Sequence, residues 1–343
     1  DGADFTVDSA GGAIVLNEID GHSGEDLVLT SSAGSGNTVT VQSIGLNVAN
    51  GIHSVLITSS AGLFLDQGIR TSSVSGNSVT VVGPTTLLSD VIINTSSNIT
   101  DGTGDILFSS SIEGSSDIQF QAGLANVTVD GAIGVLDPIS AVGDVKVVSA
   151  NDVTFKSIAA SSLQQLAGSG ETQLNGSIST FSAVGVALVG SSLSLNQSIL
   201  TSYDGVVCFD YSDTITISVE GDIVADGLVR FQAQNGITTA ADIATTGDAI
   251  SLLDSLMLTG AVNYTTGDGL GDIIFSSLLN SDSTVSGHDF SLASGLGDIV
   301  FHDSIGSVAP LGAVSIASVA TLQIRAPVVV GSWTQAILGS NAT

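Results

Sequence analysis

A parallel β-helix, an all-β solenoid of short strands, is the fold class that this sequence predicts, and three observations predict it. The first is composition: 43% of the 343 residues are hydrophobic but only 4% aromatic, and 41 are glycine against 4 proline. Aliphatic strands joined by tight turns suit that mixture, which is rich in Ser and Thr and lacks the Glu, Lys, Arg and Ala-Leu runs that favour helices. The second is self-similarity. Gly102-Thr103-Gly104-Asp105-Ile106-Leu107-Phe108 returns as Gly269-Leu270-Gly271-Asp272-Ile273-Ile274-Phe275 and as Gly295-Leu296-Gly297-Asp298-Ile299-Val300-Phe301, each a turn followed by a short strand. The third is spacing. Asp222, Asp248, Asp272 and Asp298 lie 26, 24 and 26 residues apart. A coil of ~25 residues can carry two or three strands and return the chain one strand spacing, ~4.8 Å, along an axis, which predicts roughly 13 to 14 coils in one continuous domain over 1–343.

Taken in order, the strand phrases begin at once with Ala3-Asp4-Phe5-Thr6-Val7 and Ala13-Ile14-Val15-Leu16. Asp26-Leu27-Val28-Leu29-Thr30 is echoed by Ser54-Val55-Leu56-Ile57-Thr58 at an offset of 28. Ser116-Asp117-Ile118, Gly143-Asp144-Val145 and Asn151-Asp152-Val153 continue the marker, which is lost from 160 to 200 and resumes at Gly221-Asp222-Ile223 and Gly247-Asp248-Ala249. A second phase keeps the same beat: Asp289-Phe290-Ser291-Leu292 returns as Ala313-Val314-Ser315-Ile316 at an offset of 24. The period-two rule points Ile106, Phe108, Ile273, Phe275, Ile299 and Phe301 inward and Leu107, Ile274 and Val300 outward. Phe155, Phe181 and Phe209, and separately Phe275 and Phe301, are spaced as rungs of aromatic stacks. No capping helix is visible beside the terminal strands. Their open edges are therefore expected to template end-to-end stacking on a second copy or on neighbouring repeats.

Charge narrows the function. Five Lys and Arg stand against 33 Asp and Glu, a formal net charge of −28, so nucleic acid and anionic membrane or polyuronate surfaces are excluded as partners. From 171 to 204 the only charges are at the two ends, but repeated Ser and Gly keep this stretch short of the ~18 consecutive apolar residues of a membrane span, and no insertion is expected. Cys208 is the one cysteine, which excludes an intrachain disulfide; Val206-Val207-Cys208-Phe209 reads as a buried small hydrophobe with no cationic neighbour. The chain opens on Asp1, as is expected of a processed chain or a fragment of something longer.

The Gly-x-Gly-Asp elements precede strands and not helices, so they are not phosphate loops. Their glycines suit left-handed corners, and their aspartates are expected to accept local backbone N–H groups before the strand starts. Two of them, Asp101 with Asp105 and Asp268 with Asp272, resemble half of a calcium-binding nonapeptide turn and are the candidate Ca²⁺ ligands. Asp210 and Asp213 are a looser pair. His22, His53, His288 and His302 show no metal-ligand spacing and read as surface residues. Catalysis on a β-helix needs basic residues beside carboxylates or a tight carboxylate group, and the five basic residues are scattered.

The recurring Gly-Asp-Ile/Val-x-Phe, followed by strands such as Asp289-Phe290-Ser291-Leu292-Ala293-Ser294, resembles the repeats of secreted bacterial β-helix exoproteins of the filamentous-haemagglutinin and autotransporter-passenger type. The resemblance covers most of the chain and implies an extracellular or cell-surface rod that adheres, binds surface glycans or builds a filament, with no enzymatic activity. A polysaccharide lyase or hydrolase on the same scaffold and a carbohydrate-binding module are the alternatives.

Overall fold

The structure is a computed structural model that describes residues 4–21, 24–31, 34, 36–46, 51–71, 78–96, 104–135, 141–283, 285 and 287–336. These residues form strands and turns with no helix among them. The chain winds as a parallel β-solenoid of about 13 turns with about 23 residues per turn. A complete coil carries three short strands, as in Ile106–Phe108, Ile112–Glu113 and Ile118–Gln121. Asp1–Ser179 and Thr180–Thr343 form two compact units.

In the first unit, one ladder runs through Phe5, Leu27, Val55, Val79, Ile106, Val127 and Val153, each paired in parallel with the next. In the second, Leu193, Ile215, Ile237, Leu256 and Leu279 form the equivalent ladder. Strand registers are regular while the loops are not: 28 residues separate Leu27 from Val55, but only 19 separate Ile237 from Leu256. The offsets of 28 from Asp26 to Ser54 and 24 from Phe290 to Val314 are the observed registers. The Asp222 to Asp248 interval, by contrast, joins two different ladders. Ile223 pairs with Ile243, whereas Ile250 pairs with Ile273 and Ile273 with Ile299. Asp272 and Asp298 are true neighbours, and Asp222 sits beside Asp242.

Burial follows the two-residue alternation. Ile106, Phe108, Ile273, Phe275, Ile299 and Phe301 are buried, and each such side chain contributes about 1.5–3 kcal/mol. Leu107 and Ile274 are half-buried on the outside, while Val300 departs from the expectation and is buried at 8% exposure. Phe275 stacks on Phe301 with ring centroids 4.9 Å apart, and Phe209 on Phe231 at 4.7 Å. The expected 155–181–209 series does not form. Phe155 pairs with Val129 on one face and leans across the interior to Phe120 at 6.1 Å, while Phe209 lies on a ladder with Leu188 and Phe231. Equal spacing in sequence does not ensure a shared ladder when loop lengths vary.

Candidate functional site

The residues that carry charge sit mainly at coil corners, immediately before strands. At such a position a backbone N–H that precedes the strand's own ladder needs an acceptor. The preceding coil supplies one from a side chain. Asp90 Oδ1 accepts the N–H of Asp117 at 3.1 Å, and Asp117 Oδ1 accepts that of Asp144 at 2.7 Å. Asp144 Oδ1 then takes the Ser162 hydroxyl at 2.7 Å. A second column in the same unit runs from Asp105 to the N–H of Asn126, from Asn126 Oδ1 to that of Asp152, and from Asp152 to that of Glu171. In the second unit, Asp222 accepts from Asp242, Asp242 from Asn263, Asp272 from Asp298 and Asp289 from Ala313, at 2.7–2.9 Å.

These columns correct the expectation of local capping. The aspartate's partner lies 18 to 27 residues away, one coil on, because parallel stacking brings equivalent corners to one strand spacing. Sequence carries the signal, a recurrent acid before many of the strands, but a local reading assigns it the wrong partner.

The candidate calcium ligands can now be placed. Asp101 lies outside the described residues. Asp105 and Asp272 are ladder rungs, and Asp268 is exposed on the corner that Thr266 closes from inside by donating its hydroxyl to the Gly271 carbonyl at 2.8 Å. Among the described residues, no three His, Cys, Asp or Glu side chains converge as a metal-holding group. Asp213 Oδ1 accepts from Asn235 Nδ2 at 2.8 Å, and Asp210 is exposed.

Two histidines are more engaged than surface positions suggest. His53 Nδ1 lies 2.8 Å from Asp26 Oδ1, the same oxygen that accepts the Ser54 hydroxyl at 2.6 Å. The Ser54 bond and then His53 hold the Asp26 carboxyl below its ordinary range. His288 Nε2 lies 2.8 Å from Asp282. His302 is exposed with Nδ1 3.1 Å from Arg325, and His22 lies outside the described residues. In the Asp26 group the serine hydroxyl donates to the carboxylate, so the three do not form a nucleophile–base relay.

Cys208 is not in the core. It faces outward on the strand Val207–Tyr211, half-buried and in register with Arg230. Desolvation pushes its thiol up, only partly opposed by the Arg230 charge. Burial likewise pushes the Tyr264 phenol up.

The polar column of the first unit also shapes a surface. Asp90, Asp117 and Asp144 line a depression of about 280 Å³ with Gln119, Lys146 and Gln164, the last three in outward register on adjacent strands. Its amide, ammonium and carboxylate groups can exchange hydrogen bonds with a polyhydroxylated ligand.

No protein family, no curated protein and no solved structure matches this chain.

Proposed function

We propose that the chain is a structural and adhesive solenoid segment of a secreted, cell-surface exoprotein, without enzymatic activity of its own. The observation that supports this reading best is the use of its acids. Corner carboxylates are engaged in joining one coil to the next, so acidity serves the length of the solenoid. The resemblance of the Gly-Asp-strand repeats to secreted adhesin repeats supports the extracellular location. Coils stack through parallel ladders, and among the described residues the strands Phe5–Ser9 and Val330–Gln335 each pair with one strand, so the backbone of Phe5 to Asp8 and of Val330 to Gln335 has the same pairing groups to offer to further coils of the exoprotein or of a second copy.

Incubation of the protein with neutral and acidic glycans, with and without Ca²⁺, tests the reading. No new reducing ends and no unsaturated products are expected. Sustained release of either would replace it with a polysaccharide-active enzyme. Electron microscopy and light scattering over a concentration series address stacking, for which growth along one axis is expected and a strictly monomeric protein is the contrary result.

The depression beside Asp90, Asp117 and Asp144 favours a second reading, a carbohydrate-binding module. Glycan-array binding that Gln119→Ala and Gln164→Ala abolish, without turnover, would establish it.

A further inference from the structure

In the second unit, the corner between the second and third strands of each coil forms a continuous ridge. Hydrogen bonds tie several neighbouring corners together. Gly227 donates to the Gly205 carbonyl at 2.9 Å, Thr246 Oγ1 to the Asp226 carbonyl at 2.8 Å, Leu296 N–H to Gly269 at 2.9 Å, and Ala320 N–H to Gly297 at 2.8 Å. The tips of this ridge are apolar and open to solvent: Tyr203 is 67% exposed, Leu228 39%, Leu270 77% and Leu296 64%. Isolated exposed aliphatics need no explanation, but Tyr203 and Leu228 stand on neighbouring coils, as do Leu270 and Leu296, with the polar Thr246-Gly247-Asp248 corner between the two pairs. Four coil steps separate the first tip from the last, about 19 Å at ~4.8 Å per step.

The ridge is also acidic. Asp204, Asp226, Asp248, Asp268, Asp272 and Asp298 share these same corners. Asp226 accepts the Asp204 N–H at 3.0 Å and the Thr246 hydroxyl at 2.8 Å. Those bonds hold its carboxyl below the ordinary range, so it is ionised at neutral pH.

Backbone conformation sets Tyr203 apart. Tyr203 and Asp204 both adopt left-handed angles, φ 58° and 60°, which side-chain-bearing residues rarely do. Neighbouring corners make such turns with glycine, at Gly247, Gly267 and Gly295. The turn itself therefore does not require a tyrosine. Strain at a position whose ring projects into water points to a role outside the fold.

We propose that this ridge is a docking edge for a basic protein segment that carries apolar side chains between its lysines or arginines. The apolar tips would be covered by the partner's aliphatic side chains, and the flanking carboxylates would pair with its cations. Charge complementarity decides against other occupants. A second copy brings a net charge of −28 and five basic residues. The two in this unit are engaged, Arg230 with Gln232 and Arg325 with Gln323. An anionic lipid surface is repelled in the same way. This inference is independent of the adhesive reading: it concerns a lateral protein contact and not glycans or coil stacking.

Fluorescence anisotropy with a labelled synthetic peptide of alternating lysine and leucine, titrated with the full chain, tests it. The expected result is binding that weakens at high salt, exceeds that of an oligolysine of the same charge, and falls about tenfold or more in Leu270→Ser/Leu296→Ser. Tyr203→Ser, at the far end of the ridge, is the second variant and should weaken binding as well; circular dichroism melts establish that both are folded. Equal binding by wild type and variants, or equal binding of oligolysine, would overturn the proposal. So would sedimentation showing self-association that the double variant abolishes, because a second copy would then be the occupant.

Discussion

The corner between the second and third strands of a coil is built differently in the two units, and the contrast separates what the fold requires from what it leaves free. In the first unit it is built mainly from serine and aspartate, as in Leu88-Ser89-Asp90 and Gly114-Ser115-Ser116-Asp117, with Leu88 a single 52% exposed aliphatic, and it ends in the Asp90–Asp117–Asp144 column. In the second it is rich in glycine and lifts Leu270 and Leu296 into solvent, yet Asp272 still accepts the Asp298 N–H at 2.7 Å. The acid at strand entry is common to both because the open N–H is common to both. The tip residue is not, since nothing in the coil's return path depends on it.

The largest test of the comparison lies in the core. Phe275 touches Tyr264, Phe290 and Phe301, with centroids at 6.3, 5.6 and 4.9 Å, whereas Phe120 meets Phe108 and Phe155 at 6.1 Å. Phe275→Ala is expected to cost about 4 kcal/mol and Phe120→Ala about 3, measured by urea unfolding. Equal costs would mean that stacking adds nothing beyond buried area. Next comes the close approach of the ridge corners. A Cβ on Gly297 would lie 2.1 Å from the Gly271 carbonyl oxygen, so Gly297→Ala must push two coils apart and should destabilise by about 3 kcal/mol. Gly36, with open space around its Cβ position, provides a contrast, since only its φ of 101° resists substitution.

A smaller effect tests whether the ladders are equivalent. Asp117→Ala and Asp272→Ala each remove one acceptor from a neighbouring N–H and should cost about 1 kcal/mol, because solvent can partly replace a bond at an exposed corner. A cost in one unit alone would break the parallel drawn between them. The least effect concerns pH. Asp26 has a folded-state pKa below the ordinary 3.8, owing to the Ser54 hydroxyl and His53. Its contribution is therefore fully present above the unfolded value and is lost as pH falls through the lower folded value. Unfolding titrations from about pH 5 to pH 2 should show a shallower acid loss in Asp26→Asn than in the parent chain. An unchanged slope would remove this node from the acid response.

Much of this architecture is legible from residues alone. Ile273-Ile274-Phe275 and Ile299-Val300-Phe301 alternate and recur, and both facts survive translation into a coil because strand length and register repeat. The acids before strands are legible too, as Asp105 and Asp272 illustrate. Their partners are not, since the bond from Asp117 to Asp144 crosses 27 residues and a local reading looks only a few residues away. The same limit explains the misjoined aspartates at 222 and 248 and the failed Phe155 series. Loop lengths from coil to coil shift the phase, so intervals alone cannot say which of three ladders a residue occupies. Cys208 differs for a related reason: apolar neighbours on both sides suggest burial, but its place in the alternation turns it outward, in register with Arg230.

The order of residues is enough to establish an all-β parallel solenoid that carries many of its acids at corners. These follow from composition and periodicity, which are properties of order along the chain. Which corner meets which, the bonding of carboxylates across coils, and the sharing of one ridge by Tyr203, Leu228, Leu270 and Leu296 emerge in three dimensions alone. Those are properties of stacking: a coil places residues about 20 to 28 positions apart within one strand spacing, and variable loops choose which residues they are.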